Sequence, residues 1–217
     1  MRPRALEPSG IILLDKPAGP SSFAIVAAVR RRTGARTGHA GTLDPFATGL
    51  LLLLSGAATK LQSHFVGLDK RYLTEIDLSA RTTTGDPEGA VLKELEPPGP
   101  DDLERKLVEL RGVVELPIPA ASAVKIGGER AYRLHRRGVA VEMPLRRSLV
   151  QELVLGTYEG GIAKLDLLVS SGTYVRALAD ALGGHCRTLR RTEIGPFSVT
   201  EADAERIVSV DEALARL

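Results

Sequence analysis

A mixed α/β fold, a largely antiparallel sheet flanked by helices and loops, is what this sequence predicts, and three observations carry it. Runs of strand length recur along the chain, at residues 11–14, 71–78, 149–155 and 162–169. Helical patterns fall among them without regular strand–helix–strand alternation, which favours a mixed sheet over a doubly wound one. The 217 residues are enough to bury a proper core, read here as a single domain over 1–217 with a basic arm at about 120–148.

Each element has its own reason. Residues 11–14 are a short buried strand leading into Asp15-Lys16-Pro17-Ala18-Gly19-Pro20, a turn by composition. Ser21 or Ser22 caps a helix to about Arg32, with Phe23, Val26 and Val29 or Arg30 at helical spacing. A helix is expected from Ala47, ending near Ser55-Gly56. Residues 71–78 alternate apolar and polar and read as a strand. Asp101 caps a helix over 102–110, with Gly112 just past its end. Residues 122–126 read as a strand and 129–137 as a strongly basic helix or arm. Residues 149–155 and 162–169 pair around Glu159-Gly160-Gly161. Residues 173–182 are helical, 188–194 extended, and 210–217 a short terminal helix.

Bulk properties point to an intracellular, cytoplasmic setting. Cys186 is the only cysteine, so no intramolecular disulfide is possible. Residues 1–4 carry no signal-peptide pattern. The longest apolar stretch, residues 50–54, is far short of the roughly 20 residues that span a bilayer. Net charge is only +2, but it is unevenly spread: residues 1–60 carry +5, 61–120 carry −5, 121–191 carry +6 and the remainder −4. Two basic segments flanking an acidic one suit phosphate neutralisation on one face, although arginine-rich helix surfaces produce the same pattern.

Residues 38–49, Gly-His-Ala-Gly-Thr-Leu-Asp-Pro-Phe-Ala-Thr-Gly, are the most informative stretch. Two glycines precede Asp44 and Pro45 follows it, so a carboxylate is presented from a loop with room for a ligand. On residue type alone, Asp44 fits equally a turn or the N-cap of a following helix. The full stretch resembles the catalytic signature of the TruB family of tRNA pseudouridine synthases, and dyskerin-type enzymes share much of it. The resemblance makes Asp44 the catalytic aspartate and implies a long mixed sheet flanked by helices and loops.

Other segments resemble the same family. Lys16-Pro17-Ala18-Gly19-Pro20-Ser21-Ser22 looks like its N-terminal element, which implies a supporting role for Lys16 beside the site, within reach of substrate. Lys70-Arg71-Tyr72 places the family's active-site tyrosine at Tyr72, to stack on the target uracil with its phenol a candidate for proton transfer. Gly172-Thr173-Tyr174-Val175-Arg176 looks like the motif whose arginine pairs with the catalytic aspartate, and a guanidinium at that site favours the ionised carboxylate. Tyr174 then helps enclose the base, and Leu189, in a stretch similar to His-x-x-x-Leu-Arg-Arg, contacts it. His39 is the candidate to contact RNA and fill the space that the extruded base vacates. His185-Cys186 supplies two possible metal ligands without a third, and no metal or other cofactor is expected.

Residues from Ala120 to Gly138 look like the family's thumb-like insertion over RNA. Lys125, Arg136 and Arg137 there, with Lys60, are expected to contact the phosphates of a tRNA T-stem–loop, reading shape more than sequence. The chain departs from the family pattern at Ala121 (usually Tyr), Ile118 (often Pro) and Thr83 (usually Asp), and the connection over 182–185 is short. It also ends at Leu217, where bacterial members usually continue into a PUA-type RNA-binding domain, so weaker tRNA affinity is expected. The implied reaction is isomerisation of uridine 55 to pseudouridine by a monomer without an obligate protein partner. The alternatives are a non-catalytic RNA-binding or RNA-folding module and a dyskerin-like enzyme of a guide-RNA particle.

Overall fold

Five consecutive leucines, residues 50–54, are completely buried and form the middle of a strand, not of the helix expected from Ala47. In the computed structural model, which describes residues 9–217, alternate leucines of this run enter two different cores. Leu50, Leu52 and Leu54 pack with Ile11, Leu13, Phe65, Ile194 and Phe197, whereas Leu51 and Leu53 pack with Ile12, Val26 and Val29. A strand covered on both faces reads as a continuous apolar run, and periodicity alone cannot separate it from a buried helix. The signal-peptide reading of residues 1–4 lies outside the described residues.

The chain divides into two compact units, one running to Leu73 and resuming at Leu189–Leu217, the other covering Thr74–Thr188. The first unit begins with β1 (Gly10–Lys16), α1 (Ser22–Thr33), β2 (Thr37–His39) and the leucine strand β3 (Thr48–Ser55). A 3₁₀ turn (Gly56–Leu61) and α2 (Gln62–Val66) lead to β4 (Lys70–Asp77), along which the chain passes into the second unit. Ser21 caps α1 as expected, its hydroxyl accepting from the Ala24 N–H, and left-handed Gly34 ends the helix. β1 and β2 both pair antiparallel with β3.

The second unit holds β5 (Ala80–Thr82), β6 (Val91–Glu94), α3 (Pro100–Glu109), β7 (Gly112–Pro117), β8 (Lys125–Ile126), β9 (Glu129–Arg130) and α4 (Ala131–Arg136). These are followed by β10 (Leu145–Glu159), β11 (Ile162–Val169) and α5 (Val175–Leu182). Strand order here is β4-β11-β10-β7, and β10 pairs antiparallel with both neighbours. Two expectations need correction. α3 is capped by the backbone of Gly99 with Pro100 in its first turn, so Asp101 lies inside the helix, where an acidic residue suits the positive end of the dipole. Of the strand expected over 122–126 only β8 forms, and the residues before it are loop.

The chain re-enters the first unit along β12 (His185–Ile194), followed by β13 (Phe197–Ser198), a short 3₁₀ turn and α6 (Val210–Leu214). β12 pairs parallel with β3, Arg190 opposite Thr48 and Arg191 opposite Gly49, in a sheet whose other described pairs are antiparallel. That mixed, largely antiparallel pattern is the fold class expected from the sequence. Among the described residues, no helix is long and apolar enough to cross a membrane.

Candidate active site

The segment between β2 and β3 carries Asp44, and its backbone is held from beneath by side chains of the first unit. Lys16, expected to contact substrate, is instead completely buried at the end of β1. Its Nζ donates to the carbonyls of Pro17 (2.8 Å), Pro45 (3.1 Å) and Ala47 (2.7 Å), so its charge is spent on the loop and not offered to RNA. Ser22 does not cap α1; its buried hydroxyl donates to the Leu43 carbonyl (2.9 Å) and accepts from the Leu43 N–H (2.8 Å). Gly19 N–H donates to Pro45 O and Ala40 N–H to Leu52 O. The Ala47 N–H closes a turn onto the Asp44 carbonyl before β3 starts, which leaves Asp44 no helix to cap.

A second buried cation, Arg191 of β12, holds the same segment. Its Nε donates to Leu50 O (2.8 Å), Nη1 to Thr42 O (3.3 Å) and Nη2 to Gly41 O (3.2 Å). Nearby, Lys70 at the start of β4 is buried and donates to the carbonyls of Val66 and Leu68. Burial above all, then the charge of Arg191, lowers the Lys70 pKa to about 8, with Asp69 opposing the shift. His39 is half-buried, its Nδ1 accepting from the Gly41 N–H (3.3 Å) and its carbonyl accepting from Gln62 (2.8 Å). Desolvation and then Arg191 lower its pKa, which favours the neutral imidazole. Tyr72 on β4 and Leu189 on β12 are each 7% exposed, and Lys60 is exposed at the end of the 3₁₀ turn after β3.

In the second unit, Arg176 lies in the first turn of α5 and is 3% exposed. Its Nη1 donates to Thr84 O (2.7 Å) and lies 3.3 Å from Oδ2 of Asp86, while Nη2 donates to Ala121 O (3.0 Å). Asp86 is itself buried; its other oxygen accepts from the Thr84 hydroxyl (2.5 Å) and the Glu88 N–H (3.1 Å). Ala121 meets Arg176 through its backbone, so the departure from tyrosine at this position leaves that hydrogen bond intact. Tyr174 precedes α5 and lines a small groove with Leu116, Pro117, Arg146, Ser148 and Thr173.

The basic arm is built from the β8–β9 hairpin and α4. Lys125 is exposed on β8; Arg136 stacks over the Tyr132 ring (5.6 Å to its centroid), as does Arg133 (5.9 Å). Arg137 makes a bidentate pair with Glu129, both contacts 2.8 Å. Arg133, Arg136 and Arg137 are all solvent-exposed, so these charges remain free to exchange partners.

Comparison with known proteins decides the family. The model of the TruB family pseudouridylate synthase N-terminal domain matches residues 30–175. The chain belongs to this family. It is 40% identical over 229 aligned residues to the tRNA pseudouridine synthase B of Corynebacterium efficiens, covering 96% of this chain and 77% of that protein. It is 42% identical to the protein of the same name from Leifsonia xyli, covering 89% of this chain and 70% of that one. Among solved structures, the Cbf5–Nop10–Gar1 complex contains a chain that superposes with a TM-score of 0.68 at 26% identity. The match covers 93% of this chain but only 52% of that one, so this chain spans about half its length.

For a TruB-family pseudouridine synthase, the loop signature was legible in the sequence, while the residues that hold it were not. Ser22 and Arg191, which hold it, play no part in the sequence-based site, although both are buried side chains within motifs already singled out; the same is true of buried Lys70, and Asp86, the partner of Arg176, was missed as well. The usable signal was their chemistry. A lysine or arginine inside an apolar strand pattern either snorkels to water or finds carbonyls.

Proposed function

We propose that this chain isomerises uridine 55 in the T loop of tRNA to pseudouridine, in the cytoplasm, as a monomer needing neither cofactor nor obligate protein partner. The observation that carries the reading is the Asp44 loop. It has the family's signature sequence, and its carbonyls are tied down by buried side chains, the pre-organisation that a positioned nucleophile needs. The relatives named above supply tRNA as the substrate class.

In this reading, the target uridine leaves its loop, which costs less than extruding a paired base. The uracil stacks on Tyr72 with Tyr174 and Leu189 enclosing it, and neutral His39 occupies the vacated space. Asp44 acts at the electron-poor sugar while the C1′–N1 bond breaks, as carboxylates do in other glycosidic chemistry. The uracil rotates, C5 bonds to C1′, and the C5 proton is lost as N1 gains one, with the Tyr72 phenol a candidate carrier. Arg176, steadied by Asp86, is the cation that favours the ionised nucleophile. Lys60, Lys125, Arg136 and Arg137 grip phosphates, a contact that weakens with salt.

The test is to incubate the protein with unmodified T-arm RNA and map pseudouridine at nucleotide resolution, beside Asp44→Asn. Product with the wild type and none with the variant supports the enzyme. RNA binding by both without product would instead establish a non-catalytic RNA-binding module. Arg176→Ala should lower turnover far more than RNA affinity; equal losses would make Arg176 chiefly a phosphate contact.

A further inference from the structure

Arg191 is a costly residue for its position. It is 1% exposed, it heads the fully buried side chains by volume, and among the described residues no carboxylate pairs with it. Its guanidinium faces only backbone carbonyls, those of Gly41, Thr42 and Leu50. Lys70 nearby adds a like charge, and burial first and Arg191 second push its pKa down. For stability alone, an apolar side chain of similar volume does as well or better than an ion buried in this way. A specific geometry is what the guanidinium supplies and a hydrocarbon cannot.

That geometry converges on the signature loop. Gly41 and Thr42, whose carbonyls Arg191 holds, precede Asp44 by three residues and two. Gly41 sits at φ +120°, a conformation suited to glycine, and a Cβ there would face Arg191 Nη1 at 3.6 Å. Gly49, at the other end of the segment, would place a Cβ 2.2 Å from the Arg191 carbonyl oxygen. Gly49 is therefore fitted to the backbone of Arg191, with which it pairs, while the side chain of the same residue reaches the carbonyls of Gly41 and Thr42 at the other end of the segment.

We propose that Arg191 is a positioning residue, which clamps the Gly41–Thr42 backbone and thereby fixes where Asp44 presents its carboxylate. It touches neither substrate nor reacting atoms, and its loss acts on the chemical step and not on RNA affinity. The proposal rests on the reading of Asp44 as the nucleophile. Arg191→Met keeps the volume and removes all three hydrogen bonds; Arg191→Lys keeps the charge but replaces the planar fork with a point donor that cannot reach all three carbonyls.

The experiment measures, for the full chain and both variants, the single-turnover rate on T-arm RNA, the Kd for the same RNA, and hydrogen exchange across residues 38–49. For Arg191→Met the rate should fall about 100-fold, the scale of an ångström-sized misplacement, with Kd within about threefold. Exchange in the loop should accelerate while the strands stay protected. Arg191→Lys should lie between Met and wild type in rate and exchange, and it carries the test if the Met variant does not fold. A folded variant with wild-type rate, equal losses in rate and affinity, or unchanged loop exchange each overturns the proposal. If the wild type forms no pseudouridine but the variants still loosen the loop, the enzymatic reading fails while the clamp stands.

Discussion

The pairing of Arg176 with Asp86 makes an asymmetric stability prediction. Arg176→Met removes two hydrogen bonds to carbonyls, at 2.7 and 3.0 Å, and strands a carboxylate whose side chain is 6% exposed. Breaking a buried ion pair from one side costs about 3–5 kcal/mol, because the remaining charge has lost its counter-ion. Asp86→Asn is milder. The amide oxygen can still accept from the Thr84 hydroxyl and the Glu88 N–H, and Arg176 keeps both carbonyls. Asp86→Asn in turn leaves the buried guanidinium without its counter-ion, but a neutral amide still faces it at the 3.3 Å contact, so about 1–3 kcal/mol is expected. The double variant is the sharper measurement. With Asn at 86 no charge is stranded, so it should be more stable than Arg176→Met alone by about 1–2 kcal/mol. Urea unfolding at neutral pH, with m-values compared to exclude changes in the unfolded chain, reads all three. A double variant that recovers nothing relative to Arg176→Met would show that the buried charge pair is not what holds α5 at this point.

Three further predictions follow from the first unit. Lys70 has a folded pKa of about 8 against its ordinary value of 10.5, so between those values the unfolded chain binds more protons and stability rises with pH. The stability difference between wild type and Lys70→Met should therefore shift in favour of wild type by up to about 3 kcal/mol from pH 7 to pH 10, and a flat difference refutes it. Leu52→Ala opens a cavity in a strand buried on both faces and should cost about 2–5 kcal/mol in urea unfolding; a cost below 1 would mean that the neighbouring core collapses to fill it. Lys16→Met should leave the salt dependence of RNA affinity unchanged, since a buried ammonium held by three carbonyls neutralises no phosphate; a slope reduced by about one unit would put Lys16 on the RNA.

Legibility in the sequence tracked how local the cause was. β4 was readable because its residues alternate apolar and polar, β11 because Glu159-Gly160-Gly161 marks the turn before it, and α1 because a serine cap precedes apolar residues at helical spacing. β3 was misread because both of its faces are buried, which erases the alternation that marks a strand. At the site, the loop around Asp44 was legible as a contiguous string. Its support was not, because Lys16, Ser22 and Arg191 meet the loop from three separate elements and their patterns say nothing of which carbonyls they reach. The same holds for Asp86, whose partner Arg176 lies on α5, far away in sequence.

The two units solve one problem with opposite chemistry. Around Asp44, the buried cations Lys16 and Arg191 donate to backbone carbonyl oxygens. Around Arg176, a buried carboxylate supplies full compensation as well as two carbonyls. The first arrangement fixes a backbone. The second fixes a guanidinium and removes much of its charge. Its pairing with Asp86 and its two carbonyl acceptors fix the direction in which the Arg176 guanidinium points. Substituting Asp86 should then alter the aim of Arg176 more than its charge, and Asp86→Asn should lower the single-turnover rate on T-arm RNA with little change in its pH dependence. A shift of the rate profile along the pH axis, with the plateau rate intact, would assign Arg176 to the electrostatic duty instead.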